Sequence, residues 1–257
     1  MTQSFSCPVC SGISLLLDVV DFNKSCEEFR GKFLSLSGIP VYYALCEKCG
    51  FCFTPELMNW DLEQFEKMIY NDEYLLVDPD YIENRPRANA ASLISIFGDR
   101  AHSIQHLDYG GGSGLLSKLL NDSNWQSTSY DPFVDRNVRV ELLGKYDLIT
   151  AFEVFEHVPD VSALMSCLRS LLAPNGLIMF STLLSDNHIQ RNQRINWWYA
   201  SPRNGHISLF SRKSLKSLAQ RNGFNAGSFS DGFHVFFNSV PNWAEHLAPS
   251  KSTETRS

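Results

Sequence analysis

Apolar and polar positions along the chain follow two periods, one typical of strands and one typical of helices, and the two alternate through most of its length. The first part is different, because KFLSLSGIPVYYALC reads as short strands with a turn at Gly38-Ile39-Pro40. The later pattern predicts, in order, helix over 87–97, strand over 103–109, helix over 115–120, a strand ending at 131, a strand opening at 147, a helix after 160, a strand over GLIMFSTL and a helix over 211–222. This order of elements is that of an α/β domain.

Length and composition are those of an ordinary globular protein, with 257 residues, 44% hydrophobic and 19% charged. The formal net charge of -6 argues against a nucleic-acid substrate, because binding of nucleic acid usually needs a positive electrostatic field. No apolar run approaches the roughly 20 residues of a membrane helix. The best early run, ISLLLDVV, is broken by Asp18 and lacks a preceding basic region. We therefore expect no membrane span and a cytoplasmic location.

Two C-x-x-C pairs stand near the N-terminus, Cys7 with Cys10 and Cys46 with Cys49. Two such pairs can build the tetrahedral sulfur cage that zinc prefers, and four thiolates leave no open position for catalysis. The spacing therefore predicts a structural zinc site. A redox dithiol or a chance spacing is the alternative, and Cys26 and Cys52 remain as possible replacement ligands.

A glycine-rich stretch, HLDYGGGSGLLSKLL, lies between a predicted strand and a predicted helix. It lacks the Gly-Lys-Ser/Thr ending of a phosphate-binding loop. A dinucleotide fingerprint would place its third small residue at Leu115, which is too large. What remains is Asp108-x-Gly110-x-Gly112-x-Gly114, and this pattern resembles motif I of class I S-adenosylmethionine-dependent methyltransferases.

Later segments extend that resemblance. It implies that Asp131 accepts hydrogen bonds from both ribose hydroxyls of the cofactor. KYDLITAFEVFEHVPD resembles the family's fourth-strand motif, which implies that Glu153, in preference to Glu156, and His157 lie beside the cofactor. The short distance from Asp131 to Tyr146 predicts that the usual edge strand is reduced to about 138–142.

The resemblance implies a Rossmann-like, mostly parallel sheet whose last strand is antiparallel, behind a small N-terminal zinc-binding β module. The corresponding divisions are a zinc module over 1–56, a helical connector and cofactor lid over 57–100, a cofactor-binding methyltransferase domain over 101–247 and a disordered tail over 248–257. In the connector, Tyr74 and Tyr81 either close over the cofactor or are packing residues.

A long segment between Leu183 and Leu209 resembles the corresponding part of zinc-headed methyltransferases, among them sugar C-methyltransferases. Loops of that length are often lids or binding loops. We predict that His206 is the general base and Tyr199 its neighbour; the alternative is a histidine that caps a helix or packs beneath a lid.

The resemblance implies methyl transfer from S-adenosylmethionine to a small polar metabolite such as a nucleotide-linked sugar. An RNA base methyltransferase with a zinc module, and a catalytically silent zinc-ribbon interaction protein, are the alternatives. The acceptor atom and the oligomeric state do not follow from the sequence.

Overall fold

A computed structural model describes residues 3–248. Its strands are β1 Ser4–Ser6, β2 Ile13–Asp21, β3 Pro40–Cys46, β4 Cys52–Phe53, β5 Gln105–Tyr109, β6 Gln126–Tyr130, β7 Tyr146–Phe152, β8 Leu172–Ser181, β9 Ser208–Leu209, β10 Asn225–Ser228 and β11 Phe233–Phe237. Its α-helices are α1 Leu62–Met68, α2 Tyr74–Val77, α3 Asn84–Phe97, α4 Leu115–Asp122, α5 Val161–Leu171 and α6 Arg212–Arg221.

The larger sheet has six strands in the order β10-β11-β8-β7-β5-β6. Strand β5 pairs in parallel with β6 and β7, and β7 pairs in parallel with β8. Strands β11 and β10 are added antiparallel at the other edge. This arrangement confirms the predicted α/β fold, a mostly parallel Rossmann-like sheet with an antiparallel end.

Helices α5 and α6 begin at residues whose side chains cap their first turns. Asp160 accepts hydrogen bonds from the backbone N–H groups of Ser162 (3.0 Å) and Ala163 (2.9 Å), so that α5 starts directly after it. Ser211 and Ser214 form a reciprocal capping box at the start of α6. The caps fix the two helices against the sheet, because their apolar stripes then face it.

The smaller sheet is antiparallel, in the order β1-β2-β3-β4-β9. Its last strand comes from residues 208–209, more than 150 positions after β4. Phe210, which follows β9, packs against Phe51 at 4.9 Å between ring centroids and against Phe155 at 6.0 Å. The two sheets therefore share one apolar core, and the predicted division of the chain at residue 56 stays a prediction.

One expectation is corrected. The segment 138–142 contains a 3-10 turn over Val140–Leu142 and no strand, so that β6 forms the edge of the larger sheet. In the long segment before α6, Trp197 and Tyr199 are buried beside the smaller sheet, and its role as a lid or binding loop stays a prediction. The predicted disordered tail falls almost entirely on residues 249–257, which lie outside the described residues. Within residues 3–248, no helix combines the length and apolarity needed to span a bilayer.

Candidate active site

A cavity of about 570 Å³ opens at the carboxyl ends of β5, β6 and β7. Ligands of open α/β sheets bind at this edge, because the loops after parallel strands converge there. Most of the residues predicted to bind the cofactor line this cavity: Asp108, Gly110, Gly112, Asp131, Glu153, His157 and Tyr81. Gly114 does not; it is the left-handed N-cap residue of α4, with φ 76°. We call the face formed by residues 108–112, Asp131 and Glu153 the strand-end wall.

The glycines bring bare backbone into the cavity. A Cβ on Gly110 would lie 2.5 Å from Val154, and one on Gly111 would lie 2.3 Å from Ser129 Oγ and 2.6 Å from Asp108 Oδ2. Any side chain at these positions would collide with its surroundings. Sequence spacing pointed to Gly110, Gly112 and Gly114 and missed Gly111. Residue 111 must be glycine because Ser129 on β6 and the Asp108 side chain approach it closely.

Asp108 is the most deeply buried acid of the strand-end wall, with 4% of its surface exposed. Its Oδ1 accepts a hydrogen bond from Thr150 Oγ1 at 2.9 Å. Burial raises the pKa of this carboxyl to about 7, the Thr150 hydrogen bond opposes the rise, and the nearby Asp131 charge adds to it. A buried carboxylate of this kind is suited to a cationic ligand group, which would supply the missing positive charge.

Asp131 follows β6 directly, and its two carboxylate oxygens organise the loop around it. Oδ2 accepts a hydrogen bond from Gly112 N–H at 2.9 Å, and Oδ1 accepts one from Phe133 N–H at 2.8 Å. Each oxygen keeps a further lone pair for hydroxyl donors. The structure thus ties the glycine loop to the acid that was predicted to bind a ribose.

Glu153 stands at the end of β7 with φ 53°, an uncommon conformation for a residue other than glycine. Ser181 fixes it twice, because Ser181 Oγ accepts from Glu153 N–H (2.8 Å) and donates to Glu153 Oε1 (2.7 Å). Glu156 has turned away from the cavity and is fully buried. Of the two glutamates, Glu153 is the one in the cavity wall, where such outliers accompany functional sites.

The opposite face carries a chain of aromatic rings, which we call the aromatic wall. Tyr70 lies 4.9 Å from Phe133 and 5.1 Å from Tyr74, and Tyr74 lies 5.2 Å from Tyr81. Sequence reasoning considered Tyr74 and Tyr81 but missed Tyr70 and Phe133, since nothing in their spacing brings residue 70 to residue 133. The tyrosines come from the segment predicted as a connector.

A bidentate ion pair also lines the cavity and was missed. Arg85 Nη1 and Nη2 donate to the two carboxylate oxygens of Asp78 at 2.9 and 2.8 Å. The Arg85 side chain is about one-third exposed and lines the cavity together with Asp78. The stretch DPDYIENRP holds both residues, and its three acids followed by one arginine were the only available signal.

The predicted base lies one layer behind the cavity. His206 is buried, and its Nδ1 contacts the carbonyl oxygen of Tyr199 at 2.8 Å. The Tyr199 hydroxyl donates to Glu156 Oε1. Neither Tyr199 nor His206 lines the cavity; His157 does, with its ring 4.8 Å from that of His206. Burial, together with the neighbouring His157, keeps the pKa of His206 well below its usual value.

The four cysteines of the two C-x-x-C pairs converge. Their sulfurs all lie within 4.8 Å of one another, with Cys7 Sγ 3.7 Å from Cys49 Sγ and Cys10 Sγ 3.5 Å from Cys46 Sγ. Sulfurs bound to one tetrahedral zinc lie about 3.8 Å apart, so the spacing fits a metal. The two spare cysteines lie elsewhere. Cys26 contacts Ser201 and His206, and Cys52 is buried in the apolar cluster that also contains Tyr43 and Trp197.

Comparison with known proteins gives one match that covers most of the cavity. A family model described as a methyltransferase domain matches residues 81–228, more than half of the chain. Over 39 residues the chain is 54% identical to the ubiquinone biosynthesis O-methyltransferase of Pasteurella multocida (strain Pm70), covering 15% of this chain and 16% of that protein. Over 81 residues it is 37% identical to the protein of the same name from Colwellia psychrerythraea (strain 34H / ATCC BAA-681), covering 32% and 33%.

Among solved structures, a Burkholderia thailandensis 1,6-didemethyltoxoflavin-N1-methyltransferase with bound 1,6-didemethyltoxoflavin and S-adenosylhomocysteine aligns at a TM-score of 0.48. Its sequence identity is 15%, over 72% of this chain and 93% of that one. The chain spans only a third or less of the two curated relatives just described.

Proposed function

The chain belongs to the methyltransferase-domain family, and from that premise we propose that it transfers a methyl group from S-adenosylmethionine to a small molecule. The observation that carries the proposal is the strand-end wall, where Asp108, Asp131 and Glu153 meet the bare glycine backbone in one cavity. These groups suit a ligand that bears both an ammonium and a ribose. A pyrophosphate would be repelled by three carboxyl groups.

Two acids and two glycines of the strand-end wall have proposed roles. The Asp108 carboxylate pairs with the ammonium of the donor, and Asp131 accepts hydrogen bonds from its ribose hydroxyls. Gly110 and Gly112 give backbone contact, while Gly114 sets the direction of α4 and His157 and Tyr81 close the cavity. The bound donor supplies an electrophilic methyl group on a sulfonium, and the aromatic rings opposite favour that cation.

For the acceptor side we keep His206 as the proposed base, with Tyr199 as its neighbour. Both lie behind His157, whose ring lines the cavity 4.8 Å from that of His206, so a proton from the acceptor would have to pass by way of His157. A positioned base of this kind contributes roughly 10² to 10⁴ in rate. Alignment of the acceptor with the methyl group contributes more, about 7 to 11 kcal/mol of the barrier.

Two acceptor classes are proposed. A nucleotide-linked sugar or similar polar metabolite follows from the sequence resemblance. A hydroxylated aromatic ring is the second candidate, and the aromatic wall of Tyr70, Tyr74, Tyr81 and Phe133 supports it, since aromatic rings stack at these distances. The curated relatives are O-methyltransferases by name, which agrees with the second class.

We further propose that Cys7, Cys10, Cys46 and Cys49 hold a structural zinc ion. The fit rests on the sulfur spacing and on Gly12, where a Cβ would lie 3.2 Å from Cys10 Sγ and 3.3 Å from Cys46 Sγ. With four thiolates around it, the metal would have no open position, and it would fasten β1, β2 and β3 together.

Calorimetry with S-adenosylmethionine and S-adenosylhomocysteine tests the first part of the proposal. We expect saturable binding of both, and its absence would refute the proposed donor. Incubation of the protein and labelled donor with nucleotide-linked sugars, with catechols and with total RNA then separates the acceptor classes by the mass of the methylated product. Donor binding without product from any fraction would favour a silent interaction protein.

A further inference from the structure

A continuous line of polar side chains runs beneath the cavity, from α4 across strands β6, β5 and β7 of the larger sheet. Ser117 Oγ lies 2.9 Å from Ser127 Oγ, which lies 2.7 Å from His106 Nδ1. His106 Nε2 lies 3.0 Å from Thr150 Oγ1, and Thr150 Oγ1 lies 2.9 Å from Asp108 Oδ1. Four of these side chains are buried and Ser127 is half-buried. We call this series the hydrogen-bond series.

The direction of its hydrogen bonds is fixed by its last member. An ionised carboxylate only accepts, so the Thr150 hydroxyl must donate to Asp108. The Thr150 oxygen then accepts from His106 Nε2–H. Because burial lowers the pKa of His106 to about 3, the imidazole is neutral and its Nδ1 has only a lone pair. That lone pair accepts from the Ser127 hydroxyl.

A neutral Asp108 reverses the same chain. The protonated carboxyl can donate to Thr150, whose hydroxyl then donates to His106 Nε2. The imidazole moves its proton to Nδ1 and donates it to Ser127. The two ionisation states of Asp108 thus correspond to the two neutral tautomers of His106, which differ in the nitrogen that bears the proton.

We propose that Thr150 and His106 are positioning residues that hold the Asp108 carboxylate ionised and correctly rotated for the cofactor's cationic group, with the His106 tautomer reporting its state. The inference rests on the proposed function. Other hydrogen-bond donors to the Asp108 side chain are absent among the described residues, and its Oδ2 stays open only because residue 111 is glycine, since a Cβ there would lie 2.6 Å from that oxygen. Thr150 therefore sets the orientation of the group.

The other charged groups near Asp108 also line the cavity. Asp131 and Glu153 belong to the same wall, and Arg85 faces it while paired with Asp78. Asp131 contributes a like charge, which opposes ionisation of Asp108. The hydrogen-bond series favours ionisation of Asp108, because each hydrogen bond given to a carboxylate stabilises its charged form.

The test is Thr150→Val, which keeps the shape of the side chain and removes its hydroxyl. Loss of a hydrogen bond to a charged group should weaken S-adenosylmethionine binding about tenfold at neutral pH. The midpoint of the pH dependence of binding should also move upward, so that the deficit shrinks as the pH rises. Thr182→Val is the matched control, since Thr182 is a buried threonine directly after β8 whose hydroxyl bonds neither Asp108 nor His106 among the described residues.

Nitrogen NMR of histidine-labelled protein gives a second readout, with His106 assigned from a His106→Gln variant. Donor binding should place the His106 proton on Nε2, and Thr150→Val should abolish that response. An unchanged pH midpoint in Thr150→Val, or a His106 tautomer that ignores the donor, would overturn the inference. Because wild-type binding is measured in the same series, failure of the proposed function is recognised separately by the absence of any binding.

Discussion

The two faces of the cavity are built in different ways. The strand-end wall comes from three short segments, each of which lies at the carboxyl end of a parallel strand. The aromatic wall comes from residues 70–81 and Phe133, and it is supported by the smaller sheet and by Trp197 and Tyr199. Local sequence is therefore enough to place the first wall, whereas the second depends on contacts between residues far apart in the chain.

This difference suggests that the two walls respond differently to mutation. A change in the strand-end wall should alter donor binding and leave the fold intact, because the sheet beneath it is continuous. A change in the N-terminal module should destabilise the fold and disturb the aromatic wall with it. Four predictions, ordered from the largest expected effect to the smallest, test this comparison.

The largest effect is expected for Cys46→Ser, which removes one of the four proposed zinc ligands. The variant should lose bound zinc, and its free energy of unfolding should fall by on the order of 4 kcal/mol, because metal binding and folding of such modules are coupled. Elemental analysis and urea denaturation measure the two effects.

The half-buried Cys167, outside the metal cluster, supplies the control in Cys167→Ser. That variant should retain the metal and most of the stability. Wild-type protein that contains no stoichiometric zinc after expression in zinc-supplemented medium would contradict the proposal for the N-terminal module.

Next comes Asp108→Asn, which removes the proposed partner of the donor's ammonium. Affinity for S-adenosylmethionine should fall about 100-fold, since an unpaired buried charge costs 2 kcal/mol or more. Stability should not fall, because the neutral amide is easier to bury and still accepts from Thr150. Calorimetry and thermal unfolding measure both quantities. Asp122→Asn, at an exposed position on α4, should change neither, and equal losses in the two variants would count against the role of Asp108.

How far the sequence predicts this protein follows from the same contrast between walls. Asp108, Asp131 and Glu153 were predicted from motifs that resemble those of the methyltransferase family, and parallel strands bring the ends of these motifs together. Gly111, Tyr70 and Phe133 were missed, since their roles arise from close approach within the sheet and from packing across the cavity. His206 was predicted as the general base, but only the fold shows that His157 lines the cavity in front of it.

The third prediction concerns pH. Burial raises the pKa of Asp108 to about 7, so donor affinity should decline as the pH falls through that value, by about tenfold per unit at the acidic limit. The unliganded fold has the opposite trend: a carboxyl whose pKa is raised on folding binds more protons in the folded state, so this group's contribution to stability falls as the pH rises from about 4 to 7.

Calorimetry in buffers of different ionisation enthalpy measures the proton released when the donor binds near pH 6.5. Asp108→Asn is the matched control and should release none through this group. A donor affinity that is flat between about pH 5.5 and 7.5 in the wild type would show that another group pairs with the ammonium.

The smallest effect is expected at Tyr81, on the edge of the aromatic wall, where 40% of the side chain is exposed. Its ring contacts Tyr74 edge-on and lines the cavity, so it should contribute a weak cation–π attraction to the donor, about two- to fivefold in affinity at a partly exposed site. Tyr81→Leu should lose that factor, whereas Tyr81→Phe should keep it because the ring remains. Tyr42→Leu, at a similarly exposed position on β3, should bind the donor as the wild type does. A loss as large as that of Asp108→Asn would mean that the aromatic wall contributes as much to donor binding as the strand-end wall. The two walls would then differ in how the chain builds them, but not in how strongly they bind the donor.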